Sequence, residues 1–168
     1  MPAIRYLRHF DSVIPGDAEK LITDGTSAGG AMSALIGATG NNPAYESYLK
    51  AMGAADERDD VFASICYCPI TDYSAAKNNT KVTAKVKEEE YLLNPMSQIG
   101  QSGVTVAPHR YIRHGSIDRD TAFPVALNLA TKLKNNGKDV DFLLAWNRPH
   151  SGDYALNELF DWVDKITK

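Results

Sequence analysis

The stretch Leu21-Ile22-Thr23-Asp24-Gly25-Thr26-Ser27-Ala28-Gly29-Gly30 decides how this chain folds. A short β-prone run, Leu21-Ile22-Thr23, leads into the pattern G-x-S-x-G, and the glycine- and alanine-rich residues 28–38 predict a helix. On such a sharp turn a serine hydroxyl clears the backbone, and Gly25 and Gly29 would let the strand and helix pack closely. Ser27 is therefore a candidate nucleophile, with the Ala28 amide as oxyanion donor. The alternative is a tight turn in which Ser27 only caps the helix.

Strands and helices alternate along the rest of the chain. Residues 61–68 form a nearly continuous apolar run, which is typical of a strand buried on both faces of a parallel sheet. Residues 110–114 and 140–146 predict two further strands, and residues 121–136 predict the helix between them. The last helix has a predicted buried stripe, namely Tyr154, Leu159, Phe160, Val163 and Ile166. This alternation predicts an α/β fold, a parallel sheet of about four strands flanked by helices.

Two further polar residues follow predicted strands. Asp118 comes just after the strand at residues 110–114, and His150 follows the last strand through Asn147-Arg148-Pro149. Such loops meet at the carboxyl edge of a parallel sheet, where a catalytic acid and base are needed. Asp120 competes with Asp118 for the acid role and would also suit the N-cap of the next helix. The order Ser27, Asp118, His150 is that of α/β-hydrolases.

The remaining histidines have less support as catalytic groups. His114 ends a predicted strand and is expected to have a structural hydrogen-bonding role. Nothing around His9 or His109 suggests chemistry.

Four segments carry a resemblance to a known family: residues 24–30, Ile70-Thr71-Asp72, residues 113–120, and Pro149-His150-Ser151-Gly152-Asp153-Tyr154. Together they resemble the bacterial tannases, which are related to feruloyl esterases and other carboxylesterases. The resemblance implies hydrolysis of esters between an aromatic acid, such as gallate, and an alcohol. Ser27 would attack the carbonyl, His150 would transfer the proton and Asp118 would hold the imidazolium. Asp120 would bind galloyl hydroxyls, and no metal or organic cofactor is implied.

The chain departs from the tannase pattern in two places. Tannases carry a large lid domain where this chain has only a short polar excursion, residues 73–90. They also have several strands and a second oxyanion loop before the nucleophile, so residues 1–168 are expected to form a single, partial α/β-hydrolase domain. The strand at Leu21-Ile22-Thr23 would then be an exposed edge, which predicts homo-oligomers or aggregation through it.

Two other functions stay open at this stage. The first is a catalytically inactive half-domain that needs another chain to complete its fold and site. The second keeps the three residues but acts on another substrate, as a peptidase or acyltransferase.

Composition and charge do not favour nucleic acid or membranes as partners. The chain of 168 residues is 43% hydrophobic and 23% charged, with a net charge of −3. These values give no reason to expect nucleic acid or an anionic membrane as a partner. No signal peptide is visible, which favours the cytoplasm if the start shown is genuine. Cys66 and Cys68 are expected to be buried small hydrophobes rather than a disulfide or a zinc site.

Overall fold

The computed structural model describes residues 1–71 and 84–168, and the side chains of all of these except residues 84–88. Within the described residues, the sheet consists of four parallel strands in the order β1-β2-β3-β4. The strands are β1 (Ile22–Thr26), β2 (Ala63–Tyr67), β3 (His109–Gly115) and β4 (Asp139–Ala145). Their order and direction confirm the predicted α/β class, a parallel sheet flanked by helices. The first strand is longer than Leu21-Ile22-Thr23 and continues to the residue before Ser27.

Seven α-helices lie in the described residues, together with 3₁₀ turns at Ala18–Lys20 and Pro43–Tyr45. They are α1 (Pro2–His9), α2 (Ala28–Ala38), α3 (Glu46–Ala51), α4 (Ala84–Leu93), α5 (Pro95–Gln98), α6 (Phe123–Asn135) and α7 (Leu156–Thr167). None of these helices is long and apolar enough to cross a membrane. The helix predicted over residues 28–38 is confirmed as α2.

Helices cover both faces of the sheet. On one face, α2 and α6 pack against β2 and β3 through a core built mainly of small and branched side chains, with Ala34, Leu129, Leu133, Cys66 and Ile112 at its centre. On the other face, α7 packs Leu159 and Trp162 against Tyr67 and Tyr111. Every residue of β2 is buried, as its continuous apolar run predicted, because β2 lies between two strands and two helix layers.

The predicted buried stripe of the last helix was wrong at Phe160. Phe160 is 61% exposed, whereas Trp162, which the stripe omitted, is 7% exposed and stacks near Tyr111 with ring centroids 5.2 Å apart. Leu159, Trp162, Val163 and Ile166 follow the i, i+3, i+4, i+7 spacing of one helical face, and Phe160 lies one position off it.

Residues 73–90 were expected to form a short polar excursion. Its described end belongs to α4, where Lys and Glu favour the helix, and the short α5 follows. Asn94 separates the two helices and caps α5, since its side chain accepts the Met96 amide at 2.9 Å. Residues 72–83, which include Asp72 and most of the expected excursion at 73–90, lie outside the described residues.

Helix α1 packs through arginines as well as through Ile4. Arg5 and Arg8 are buried beside Ile4, whereas Phe10, just after the helix, is 38% exposed. Arg5 binds Glu46 and Asp59, and Arg8 donates to the carbonyls of Arg58 and Asp60. These ion pairs join residues far apart in sequence, and helical spacing alone does not reveal them.

Candidate active site

Ser27 lies on the turn between β1 and α2. Its backbone has φ 58° and ψ −117°, a region that residues with a Cβ rarely adopt. The Ser27 amide donates to the Tyr67 carbonyl at 2.9 Å, which ties the turn to the end of β2. Its side chain makes no cap hydrogen bond to α2, so the alternative role as a helix cap is wrong. The hydroxyl is thus available to another partner.

The glycines beside Ser27 differ in what they permit. A Cβ on Gly25 would lie 2.3 Å from the backbone of Gly29, so only glycine fits at Gly25. A Cβ on Gly29 would meet nothing within 4 Å, so the predicted packing role of Gly29 was wrong. The second close contact is at Gly30, where a Cβ would lie 2.5 Å from the Tyr67 carbonyl oxygen. The helix therefore approaches β2 through Gly30.

Ala28 is the first residue of α2. The first amides of a helix have no carbonyl four residues back within the helix, and they carry the positive end of its dipole. The Ala28 amide thus lies beside Ser27 in the position that the sequence assigned to an oxyanion donor.

Asp118 lies on the loop that follows β3, and its side chain is only 1% exposed. Its Oδ1 accepts the amides of Asp120 at 2.8 Å and Thr121 at 3.0 Å, and its Oδ2 lies 2.8 Å from Nδ1 of His150. Burial alone would raise the pKa of Asp118. The hydrogen bonds from Thr121, His150 and Asp120 outweigh burial and lower this pKa. The carboxyl is therefore ionised at neutral pH.

His150 follows β4 and lies near the sheet edge. Its Nδ1 pairs with Asp118 rather than with Asp120, which leaves Nε2 for a second partner. The described residues include no hydrogen bond between Ser27 and His150. The two loops nevertheless meet, since a Cβ on Gly152 would lie 1.8 Å from Oγ1 of Thr26. Serine–histidine hydrogen bonds are often long without substrate and tighten when it binds.

Asp120 lies beside the Asp118–His150 pair, and its side chain is exposed. Its carboxylate has an oxygen within 4.8 Å of ligand atoms of Asp118 and His150. The predicted N-cap role was wrong, because α6 begins at Phe123 after Ala122 and has no side-chain cap. Asp120 also lines an open cleft of about 430 Å³ with Ile117, Arg119, Pro149 and His150. This volume is in the range of small-molecule sites.

The other histidines make local contacts. His114 is fully buried, and its Nε2 lies 3.0 Å from the Thr121 carbonyl and 3.5 Å from Oδ2 of Asp118. Its structural hydrogen-bonding role is thereby confirmed. His109 pairs with Asp139 at 2.9 Å, and His9 lies 3.7 Å from Glu57.

Among the residues that the structure describes, two groups of side chains could supply three metal ligands each. One comprises Cys68, His114 and Asp118, and the other Asp118, Asp120 and His150; the ligand atoms of each lie within 4.8 Å of one another. Asp118 belongs to both groups, and the hydrogen bonds to His150, Asp120 and Thr121 account for its surroundings without an ion.

Two contributors to this site, Cys68 and Gly152, were not expected from the sequence. Cys68 was expected to be a buried hydrophobe, and it is indeed buried and free, but its thiol also donates to the Ser151 carbonyl at 3.4 Å. Gly152 stands two residues after His150 in the segment 149–154 that carries the family resemblance, but no role of its own was predicted for it. The contacts of both residues cross between loops that are far apart along the chain.

Comparison with known proteins places this chain in a family. The sequence model of the BD-FAE family, whose members are esterase-like α/β-hydrolases, matches residues 1–119. The chain belongs to the BD-FAE family. No curated protein matches this chain.

Solved structures of tannases are similar to this BD-FAE member over its whole length. The native tannin acyl hydrolase from Lactobacillus plantarum is 25% identical with a TM-score of 0.87, and the alignment covers 99% of this chain and 70% of that one. A tannin acyl hydrolase in complex with 3,4-dihydroxybenzoate has 25% identity, a TM-score of 0.88 and the same coverage. The Fusobacterium nucleatum tannase, at 24% identity, shares the fold with a TM-score of 0.87 over 99% of this chain and 72% of that one. The BD-FAE family and the tannase relatives together support the conclusion that this chain is an ester hydrolase.

Proposed function

We propose that this chain is a serine carboxylesterase that works through Ser27, His150 and Asp118. The observation that carries the proposal is the 2.8 Å hydrogen bond between His150 Nδ1 and Asp118 Oδ2, formed where the loops after β3 and β4 meet the Ser27 turn. Asp118 fixes the tautomer with a proton on Nδ1, so Nε2 is free to take the Ser27 proton. The Ala28 amide would stabilise the oxyanion of the tetrahedral intermediate.

The proposed reaction has two halves. Ser27 Oγ attacks the ester carbonyl, its proton passes to His150, and the alcohol leaves with that proton as the acyl-enzyme forms. Water then attacks the acyl-enzyme and gives a proton to His150, and the acid is released as His150 passes that proton to Ser27 Oγ. Asp118 stays ionised throughout, in agreement with its lowered pKa.

The proposed substrates are small-molecule esters of aromatic acids. A tannin acyl hydrolase of the same fold binds 3,4-dihydroxybenzoate. In this chain, Asp120 lines the cleft beside His150, where its exposed carboxylate could accept hydrogen bonds from phenolic hydroxyls. Galloyl or related rings with adjacent hydroxyls fit that chemistry.

A second candidate is a hydrolase half-domain that is inactive until another chain completes it. Two observations favour it. Within the described residues, Ser27 and His150 share no hydrogen bond, and β1 pairs with β2 alone. One experiment separates the two candidates. The purified chain is treated with a fluorophosphonate probe and weighed intact, with Ser27→Ala as the control. A Ser27-dependent adduct supports the esterase, and a folded chain that forms no adduct contradicts it.

Substrate preference is tested separately with two esters. Asp120→Asn removes the charge but keeps the shape of the side chain, so it should raise KM for methyl gallate by roughly tenfold, the scale of one lost charged hydrogen bond. The same variant should hydrolyse a simple aliphatic ester at the wild-type rate, because Asp120 does not pair with His150. An equal loss on both esters would contradict a role in binding phenolic hydroxyls.

A further inference from the structure

The end of β2 contacts all three loops that carry the proposed catalytic residues. The Tyr67 carbonyl accepts the Ser27 amide at 2.9 Å. The next residue, Cys68, donates its amide to the Arg113 carbonyl of β3 at 2.8 Å and its thiol to the Ser151 carbonyl at 3.4 Å. One dipeptide therefore connects the nucleophile turn, the strand before the acid loop, and the base loop.

The thiol of Cys68 also lies behind the carboxylate of Asp118. Its Sγ lies within 4.8 Å of an Asp118 carboxylate oxygen and of a His114 ring nitrogen. Burial raises the pKa of the Cys68 thiol, and the neighbouring Asp118 carboxylate raises it further. The group thus keeps its proton and acts as a donor, not as a thiolate that would repel Asp118.

The backbone of Cys68 is itself unusual. It has φ 46°, although a residue with a Cβ is disfavoured there, and its side chain is fully buried. Ser27 and Asn147, which follow β1 and β4, also have positive φ, so this conformation recurs where the strands end beside the site. The turn at Cys68 aims the thiol back between the acid and base loops rather than along the strand.

We propose that Cys68 is a positioning residue, whose thiol holds the Asp118 and His150 loops in register so that Asp118 Oδ2 faces His150 Nδ1. Because Cys68 is fully buried, we do not expect it to touch the substrate. It acts through Asp118 and the Ser151 carbonyl. The inference deepens the proposed function and rests on it for its kinetic test.

The chain offers a matched control. Cys66 is equally buried within β2, two residues before Cys68, but its thiol contacts Ser64 Oγ at 3.3 Å within the core beneath α2 and does not reach the site. The variants are therefore Cys68→Ala, Cys68→Ser and Cys66→Ala, each compared with wild type in ester hydrolysis and urea unfolding. Serine restores a donor at nearly the same place, whereas alanine does not.

Cys68→Ala should lower kcat by roughly three- to tenfold, the scale of one net hydrogen bond, with KM within about twofold of wild type. Cys68→Ser should recover most of that loss, and Cys66→Ala should keep wild-type kcat while losing a similar amount of stability. A Cys68→Ala variant with wild-type kcat, a Cys68→Ser variant no better than Cys68→Ala, or an equal kcat loss in Cys66→Ala would overturn the inference.

A second measurement does not depend on turnover. The His150 Nδ1 proton, shared with a carboxylate, should give a low-field proton NMR signal that is absent in His150→Ala. This signal should shift or broaden in Cys68→Ala and remain in Cys66→Ala. If wild type shows this signal but hydrolyses no ester, the proposed function fails. The response of the signal in Cys68→Ala then still tests the positioning role. A signal unchanged in Cys68→Ala, or missing from wild type, would overturn the inference.

Discussion

Ser27 keeps a left-handed backbone that costs about 1–3 kcal/mol for a residue with a Cβ. The neighbouring atoms explain how this conformation persists. Its amide is bound to Tyr67, and Gly25 and Gly30 let β1, α2 and β2 approach within contact distance around it. Several contacts together therefore fix the backbone of this turn, which holds the Ser27 hydroxyl clear of the helix.

The two glycines of the G-x-S-x-G pattern should respond differently to substitution. Gly25→Ala should lower the free energy of unfolding by about 1–3 kcal/mol, because its Cβ would meet the Gly29 backbone, which has no rotamer to change. Gly29→Ala should instead be neutral or stabilising by up to about 1 kcal/mol, since alanine favours the helix and its Cβ meets open space. Urea unfolding of both variants checks this, and equal losses would contradict it.

Among the elements, α7 closes the face of the sheet opposite α2. Trp162→Ala should cost about 3–5 kcal/mol, because it leaves a cavity beside Tyr111. Phe160→Ala, on the exposed side of the same helix, should stay within about 0.5 kcal/mol of wild type. Thermal or urea unfolding distinguishes the two variants. A large loss of stability in Phe160→Ala would show that Phe160 belongs to the buried face of α7, as the predicted stripe had it.

Helix α1 is attached through Asp59. Burial alone would raise the pKa of this carboxyl, but the N-terminal ammonium, the Asn41 amide and Arg5 outweigh burial and lower it. A lowered folded-state pKa gives stability that is present above the unfolded value, about 3.9, and is lost as the pH falls through the folded value. The stability difference between wild type and Asp59→Asn, about 3 kcal/mol at pH 7, should therefore shrink below about pH 4.

The measurement is urea unfolding of both proteins from pH 7 to pH 3. Asp56→Asn, which removes an exposed carboxylate from the same loop, is the control and should stay close to wild type at pH 7. A difference between wild type and Asp59→Asn that stays constant down to pH 3 would contradict the assignment of the stabilising charge to Asp59.

At the scale of the whole molecule, β1 is an edge of the described sheet and β4 is the other edge. The backbone of β1 thus offers unpaired amides and carbonyls on one side, which favours pairing with a second copy. We expect concentration-dependent association in sedimentation velocity. Trp146→Lys should leave it intact, because Trp146 follows β4 and is 87% exposed at the opposite edge. A monomer at all concentrations, or loss of association in Trp146→Lys, would contradict pairing through β1.

The sequence by itself determined the fold class and the loops that bear the proposed catalytic residues. Apolar runs at residues 61–68 and 140–146 and the G-x-S-x-G turn are local patterns, and the strands and α2 formed where these patterns predicted them. The positions of candidate residues after predicted strands also gave the chain order Ser27, Asp118, His150. They left both Asp118 and Asp120 as candidates for the acid that pairs with His150.

Only the tertiary structure shows which of the two carboxylates pairs with His150. Asp118 faces His150 because the loop after β3 folds its side chain under the amides of Asp120 and Thr121. The roles of Cys68, Arg5 and Trp162 depend in the same way on contacts between distant segments. The physical reason is one of range: helix and strand periodicity follows from neighbouring residues, whereas the partner of a buried charge or thiol is set by which loops the sheet brings together.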